Sequence, residues 1–171
     1  MEVEANDSIR ETAETVVDRL RPGMPEQLDR MTRRLFDEIP MYTSGAAGDF
    51  AAVRESVAGN CEDAFDRIRG RIHDLTTAVT IGRQRANQGV PLADLLTAFR
   101  FGYEDVWAAL IEVSRMEPVL PAGAMVDLSH RWFTLHNTVG DTLIHAYRDE
   151  AKHLLLYIFI KLPLQGILLL P

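Results

Sequence analysis

The amino-acid sequence predicts an all-α domain of about six helices. Apolar residues recur at three- and four-residue intervals along nearly the whole chain, which places them on one face of each helix. No segment sustains the alternation of apolar and polar residues that is typical of a half-buried strand. Glycine and proline interrupt the pattern at intervals that suit helices of ordinary length.

The first two helices are predicted from their apolar faces and from the residues that end them. The spacing predicts a first helix over about 9–20, with Ser8 and Glu11 as a capping box at its start. A second helix is expected from about Pro25 to Pro40, because a proline disfavours helical backbone in the residue before it.

Two further helices are predicted after a loop of small residues over 42–48. Asp49 is a favourable N-cap residue, so the third helix is expected to begin directly after it. The fourth is expected over about 74–88. Gly82 inside it should cost roughly 1 kcal/mol against alanine, unless close packing requires its small size.

The fifth and sixth helices are predicted to be long. Gly89 is a residue that ends a helix and Pro91 one that begins the next, so the fifth helix is expected over about 92–113. The sixth is expected over about 123–150. Because a short proline-rich turn joins them, we expect the two helices to pack antiparallel.

Composition restricts the classes of function. With 171 residues, the chain can form one domain with a full hydrophobic core. Its formal net charge of −7 disfavours general binding to nucleic acid, since contacts to phosphate need clustered lysine and arginine. A single cysteine rules out an internal disulfide, and the acidic N-terminus is not a signal peptide. We therefore expect a cytoplasmic protein.

The C-terminal segment 154–171 differs in composition from the rest of the chain. It consists mostly of leucine and isoleucine, but Lys161 and Pro163 interrupt it, whereas a membrane-spanning helix needs about 20 uninterrupted apolar residues. We predict a domain over 1–151 and an apolar tail over 152–171, and we do not expect the tail to contact a membrane. A truncated or frameshifted reading frame would produce such a tail.

Three phrases in the sequence resemble a known family. The central one, RANQGVPLADLLTAFRFGYEDVW over 85–107, follows the pattern R-x-x-Q-G-V-P-L-x-x-L-L-x-A-Y/F-R-x-G-x-x-x-x-W. The others are IPMY over 39–42 and AYRDE over 146–150. Together they make residues 10–151 similar to the RsbR/RsbRD-type N-terminal domain, which precedes the regulatory parts of stressosome proteins and of many bacterial PucR-type transcriptional regulators.

The resemblance implies a globin-like all-α fold without haem, acting as a signal-input and dimerisation module. In PucR-type regulators a helix-turn-helix DNA-binding domain follows much further along the chain. The segment after Glu150 departs from the family pattern, so DNA binding is not carried over to this polypeptide. We expect a homodimer without a cofactor, and a regulatory protein is a further candidate partner.

Histidines bear on the haem and metal alternatives. None falls inside the fourth or fifth predicted helix beyond its start, so surface or half-buried roles are favoured over haem ligation. In the last helix, Asp141 and Asp149 share one side with two of the histidines, but closed metal sites usually need four ligands, and di-iron bundles draw them from different helices. The five histidines are His73, His130, His136, His145 and His153.

No motif for nucleophilic or phosphate chemistry is present in the sequence. Cys61 lies in the apolar register of the third helix, which indicates an inert buried thiol. Ser44 and Ser56 have no histidine in a recognised arrangement. Gly45 and Gly48 are not followed by the Lys-Ser/Thr pair of a phosphate-binding loop. We therefore expect no catalytic site.

The fifth helix carries most of the candidate ligand-binding residues. The sequence leaves three roles open for Arg100. It forms an i,i+4 pair with Glu104, it pairs with a carboxylate on another helix, or it binds a small anionic ligand. The aromatic residues near it belong to the core or line a ligand cavity. The candidate site comprises Phe99, Arg100, Tyr103, Trp107 and Trp132.

The leading hypothesis is a non-enzymatic signal-input and dimerisation domain of a bacterial transcriptional or stress-response regulator. In it, a ligand or partner shifts the packing of the last two helices, and the sixth helix passes that shift to an output. One alternative is a globin-like sensor that binds haem or a small ligand. The other is a protein that associates with membranes through its apolar tail.

Overall fold

The computed structural model describes residues 2–71, 74–116 and 123–167. Throughout these ranges the protein is all-α and contains no strand, which confirms the predicted fold class. A 3-10 turn connects the first two helices. The described residues form six longer helices and one single turn: α1 (Glu2–Leu20), α2 (Met24–Glu38), α3 (Pro40–Thr43), α4 (Phe50–Ile68), α5 (Thr76–Asn87), α6 (Leu92–Met116) and α7 (Ala124–Ile167).

Two predicted boundaries in the N-terminal part are wrong. Helix α1 begins at Glu2, so the predicted start at Ser8 lies inside the helix. Glutamate and alanine are good helix formers, and the sequence Glu-Val-Glu-Ala over 2–5 extends the helix toward the N-terminus. The predicted loop over 42–48 loses its first residues to α3, in which Pro40 takes a first-turn position that needs no backbone donor.

Other boundaries are confirmed, and their local chemistry explains them. The side chain of Asp49 accepts a hydrogen bond of 2.9 Å from the backbone N–H of Ala52, and so caps α4. Gly89 has a φ of +70° and provides the left-handed residue after α5.

The two long helices α6 and α7 pack antiparallel, as predicted. The rings of Phe99 and His136 stack with their centroids 5.0 Å apart, whereas the ring of Trp107 lies 5.8 Å from that of Phe133. Residue numbers therefore fall along α7 as they rise along α6. The globin-like arrangement of the remaining helices stays a prediction.

The most extensive helix pair is α5 with α7. It depends on Gly82, where a Cβ atom would lie 2.6 Å from the carbonyl oxygen of Leu143 and 3.0 Å from the Cβ of Ala146. A methyl group cannot occupy that space without moving one of the helices. The close packing considered for Gly82 is therefore confirmed.

The core consists of two hydrophobic clusters. The first joins α1 to parts of α2, α4, α6 and α7, and includes Leu110 and Leu128. The second joins parts of α2, α3 and α4 to α5, the N-terminal half of α6 and the middle of α7, and includes Leu95 and Leu143. Val57 on α4 packs against both clusters.

Helix α7 continues to Ile167 without a break at 151, so the division into a domain and a tail stays a prediction. Its consecutive apolar residues over 155–159 are each between 48% and 73% exposed. In the part of the chain that the structure describes, no helix is long and apolar enough to cross a membrane.

Gly82→Ala is expected to lower the free energy of unfolding by about 1–3 kcal/mol, because the added methyl group overpacks the contact between α5 and α7. Gly59→Ala is the matched control, since this glycine lies inside α4 with nothing within 4 Å of the added atom. The control should gain up to ~1 kcal/mol from higher helix propensity. Urea titration followed by circular dichroism measures the free energy of unfolding of both variants. Equal changes in the two variants would contradict the close contact at Gly82.

Candidate functional site

A cavity of about 130 Å³ lies inside the protein and is lined by residues of both hydrophobic clusters. Helices α2 to α7 all contribute side chains to its walls. Protein interiors are otherwise packed as densely as organic crystals, so a void of this size is a distinct feature. It remains unfilled where several helices present small residues, namely Ala64, Ala78, Ala98 and Gly102.

One side of the cavity is polar and lies between α4 and α5. Asn60 and Asp63 on α4, with Thr77 and Ile81 on α5, line both the cavity and a shallow groove on the surface. Because these residues are shared, the cavity meets the surface between the two helices. Its remaining walls are predominantly apolar.

Three charged residues line the cavity, and each has a partner within the protein. Asp63 accepts hydrogen bonds from the Nε of Arg67 at 2.7 Å and from the hydroxyl of Thr77 at 3.1 Å. Asp105 lies 2.8 Å from the Nη1 of Arg34. Burial raises the pKa of the Asp105 carboxyl, and the nearby Arg34 opposes that shift.

The third charged residue, Arg85, donates a hydrogen bond of 2.8 Å to the side-chain oxygen of Gln88. No charged side chain in the wall is therefore left without a partner among the described residues. A cation entering the cavity would have to displace the partner of Asp63 or of Asp105 in order to pair with a carboxylate.

Two tyrosines in the wall, Tyr42 and Tyr103, differ from Tyr147 in the hydrogen bonding of their hydroxyls. Tyr42 is only 5% exposed, and burial raises the pKa of its hydroxyl. Burial likewise raises the pKa of Tyr103. Among the described residues, neither hydroxyl makes a hydrogen bond. By contrast, the hydroxyl of Tyr147 donates to the carbonyl oxygen of Val90 at 2.5 Å.

The structure brings three of the five predicted site residues to the cavity: Phe99, Tyr103 and Trp132. Trp107 is not in the wall but stacks on Trp132, with the ring centroids 6.1 Å apart. Arg100 is 61% exposed, and its Nε lies 3.6 Å from the carboxylate of Glu104, which confirms the predicted i,i+4 pair. Ligand binding by any of these residues stays a prediction.

Several residues of the wall were not identified from the sequence. Tyr42 lies in the predicted loop over 42–48, and its phrase, IPMY, indicates only the resemblance to the family. Asp63 and Thr77 lie on different helices, so no spacing in the sequence connects them. His136 is not in the wall, but it is half-buried and stacks on Phe99, which is, and burial lowers the pKa of its imidazole.

The three other histidines that the structure describes are likewise not part of the cavity wall. His130, His145 and His153 are exposed, and a ring nitrogen of His145 lies 2.7 Å from the carbonyl oxygen of Asp141 in the same helix. His73 lies outside the described residues. Within those residues, no group of three or more histidine, cysteine or acidic side chains is placed to hold a metal ion.

Comparison with protein families gives one match. The family described as the RsbT co-antagonist protein rsbRD N-terminal domain matches residues 25–156, which is more than half of the chain. The matched range contains every residue that lines the cavity. No curated protein and no solved structure matches the chain.

Cys61 is buried and lines the cavity, which confirms its predicted burial. Burial raises the pKa of its thiol from 9.0 to about 12. At pH 8 the thiolate fraction is therefore about a thousandfold below that of an ordinary thiol, because each unit of pKa is a factor of ten. We expect native protein to react with Ellman's reagent at a correspondingly low rate, and protein unfolded in guanidinium chloride to react normally. Rapid reaction of the native protein would contradict the burial of this thiol.

Proposed function

The chain belongs to the RsbRD N-terminal domain family, and from this premise we propose that it is a non-enzymatic signal-input and dimerisation domain of a bacterial regulator. The description of the family names a co-antagonist of another protein, RsbT. This description supports a regulatory role in transcription or the stress response. The proposed location is the cytoplasm.

The observation that carries this proposal is an unbroken series of aromatic rings from the cavity to the surface. Tyr103 in the cavity wall lies 4.9 Å from Trp132, which lies 6.1 Å from Trp107. Trp107 in turn lies 5.8 Å from Phe133, which is 53% exposed. The rings therefore connect the interior of the domain to the outer face of α7.

Such a series suits the transmission of a signal. Because closely packed side chains cannot all shift independently, a change at Tyr103 is accommodated by movement of the rings that contact it. The rings lie alternately on α6 and α7, so their movement changes the packing of these two helices. In the proposed mechanism, α7 passes the change to an output domain or partner protein.

The proposed partner surface is the outer face of α7 around Phe133, and the proposed partner is a second copy of the chain. Val126 lies seven residues before Phe133, on the same side of the helix, and is 70% exposed. Exposed aromatic and large apolar residues that lie together are typical of protein interfaces. In a two-fold dimer this surface packs against its own copy.

The alternatives receive less support. A cavity of about 130 Å³ is smaller than the ~300 Å³ of the smallest pockets that usually hold drug-sized ligands, and a haem is larger still. No histidine is among the residues of the cavity wall that the structure describes. For the membrane alternative, the exposed apolar residues over 155–159 suit a contact with a second copy equally well.

Phe133→Asp is expected to weaken dimerisation at least tenfold, because a charge without a partner would be buried at the centre of the proposed interface. The matched control is Thr134→Asp, which adds the same charge at the next exposed position, on a different side of α7. Sedimentation velocity over a range of concentrations measures both variants. A monomeric native chain, or equal weakening in both variants, would argue against the proposed surface.

A further inference from the structure

We propose that the cavity binds a small uncharged molecule with an apolar body and one hydrogen-bonding oxygen, such as a phenol or an aromatic alcohol. The hydroxyls of Tyr42 and Tyr103 are the groups that bind this oxygen. The inference rests on the proposed function, since it names the chemical class of the signal. It is tested by direct binding, which does not depend on dimerisation.

The size of the cavity limits the ligand to about one aromatic ring. Apolar cavities of ~150 Å³ in other proteins hold benzene, and this one has a volume of about 130 Å³. Its predominantly apolar wall favours a ligand that buries apolar surface. Phe99 and Trp132 present aromatic rings there, and aromatic groups pack well against each other in offset or edge-to-face arrangements.

The charges in the wall indicate a neutral ligand. Asp63 is bonded to Arg67 and Thr77, and Asp105 is paired with Arg34. Burial of an ion without a partner is strongly unfavourable. An amine would therefore find both carboxylates already paired. A carboxylate would reach only the guanidinium of Arg85 and would lose its hydration within a predominantly apolar wall, whereas a neutral molecule leaves the existing pairs in place.

The unbonded hydroxyls indicate a polar atom on the ligand. A buried hydroxyl is normally hydrogen-bonded to protein or to an ordered molecule, because leaving it unpaired lowers stability. Tyr147 follows this rule through Val90. The hydroxyls of Tyr42 and Tyr103 have no such partner among the described residues, and neither is one of the fully buried side-chain atoms that lack a partner, so both remain accessible to a small molecule. A phenol hydroxyl both donates and accepts, so it suits either tyrosine.

The route into the cavity lies between α4 and α5. Asn60 and Thr77 line both the cavity and the surface groove there. Helix α5 packs mainly on α7, and the hydrogen bond from the hydroxyl of Thr77 to Asp63 crosses the gap on its α4 side. We expect a ligand that enters here to open this hydrogen bond transiently, while the close contact at Gly82 stays in place.

The first experiment compares phenol with toluene, which has the same size but no hydroxyl, by isothermal titration calorimetry of the full chain. Phenol is expected to bind more tightly than toluene. The double variant Tyr42→Phe/Tyr103→Phe keeps both rings and removes both hydroxyls. It should lower phenol affinity by about three- to tenfold, as expected for a lost hydrogen bond, and leave toluene affinity unchanged. Absence of phenol binding, or unchanged phenol affinity in the double variant, overturns the proposal.

The second experiment locates the binding site. Ala98→Leu adds bulk inside the cavity and should abolish binding of both probes, whereas Ala108→Leu adds the same bulk on the exposed side of α6 and should leave binding unchanged. Full binding by a folded Ala98→Leu variant overturns the proposal. If this variant does not fold, the phenol affinity of the double tyrosine variant tests the proposal by itself. Phe133→Asp should bind phenol normally, so failure of the dimer surface and failure of the ligand site are distinguishable.

Discussion

The close contact of α5 with α7 at Gly82 is the constraint on which the rest of the site depends. With no side chain between them, the two backbones approach until the carbonyl oxygen of Leu143 occupies the space of a Cβ atom. Helix α5 packs mainly on α7, and the cavity reaches the surface on the other side of α5, beside α4.

The sequence phrases shared with the family hold this geometry in place. Tyr147 in the AYRDE phrase donates to the carbonyl oxygen of Val90, directly after the glycine that ends α5. Asn87 donates to the carboxylate of Glu150 at 2.9 Å. Two of the phrases thus contact each other across α5 and α7. Their role in the described structure is to fix where α5 ends and α6 begins, and α6 supplies much of the cavity wall.

The sequence predicted well those features that depend on neighbouring residues. The cap at Asp49, the left-handed Gly89 and the pair between Arg100 and Glu104 each involve positions a few residues apart, so spacing alone identifies them. The cavity could not be predicted in this way, because it lies between side chains of six helices that are far apart in the sequence. No periodicity connects Tyr42 with Thr77, and the helix pairing that separates α4 from α5 is a property of the whole fold.

The unbroken course of α7 also has a mechanical consequence. From Trp132 in the cavity wall to Phe159, the helix extends about 40 Å at ~1.5 Å per residue. The contacts of Leu143, Ala146 and Glu150 with α5 hold the first part of this length in place. The part beyond Glu150 projects from these contacts as one continuous helix. In the proposed mechanism, a change in the packing of α7 against α5 is therefore carried as a rigid-body displacement to the exposed apolar residues over 155–159.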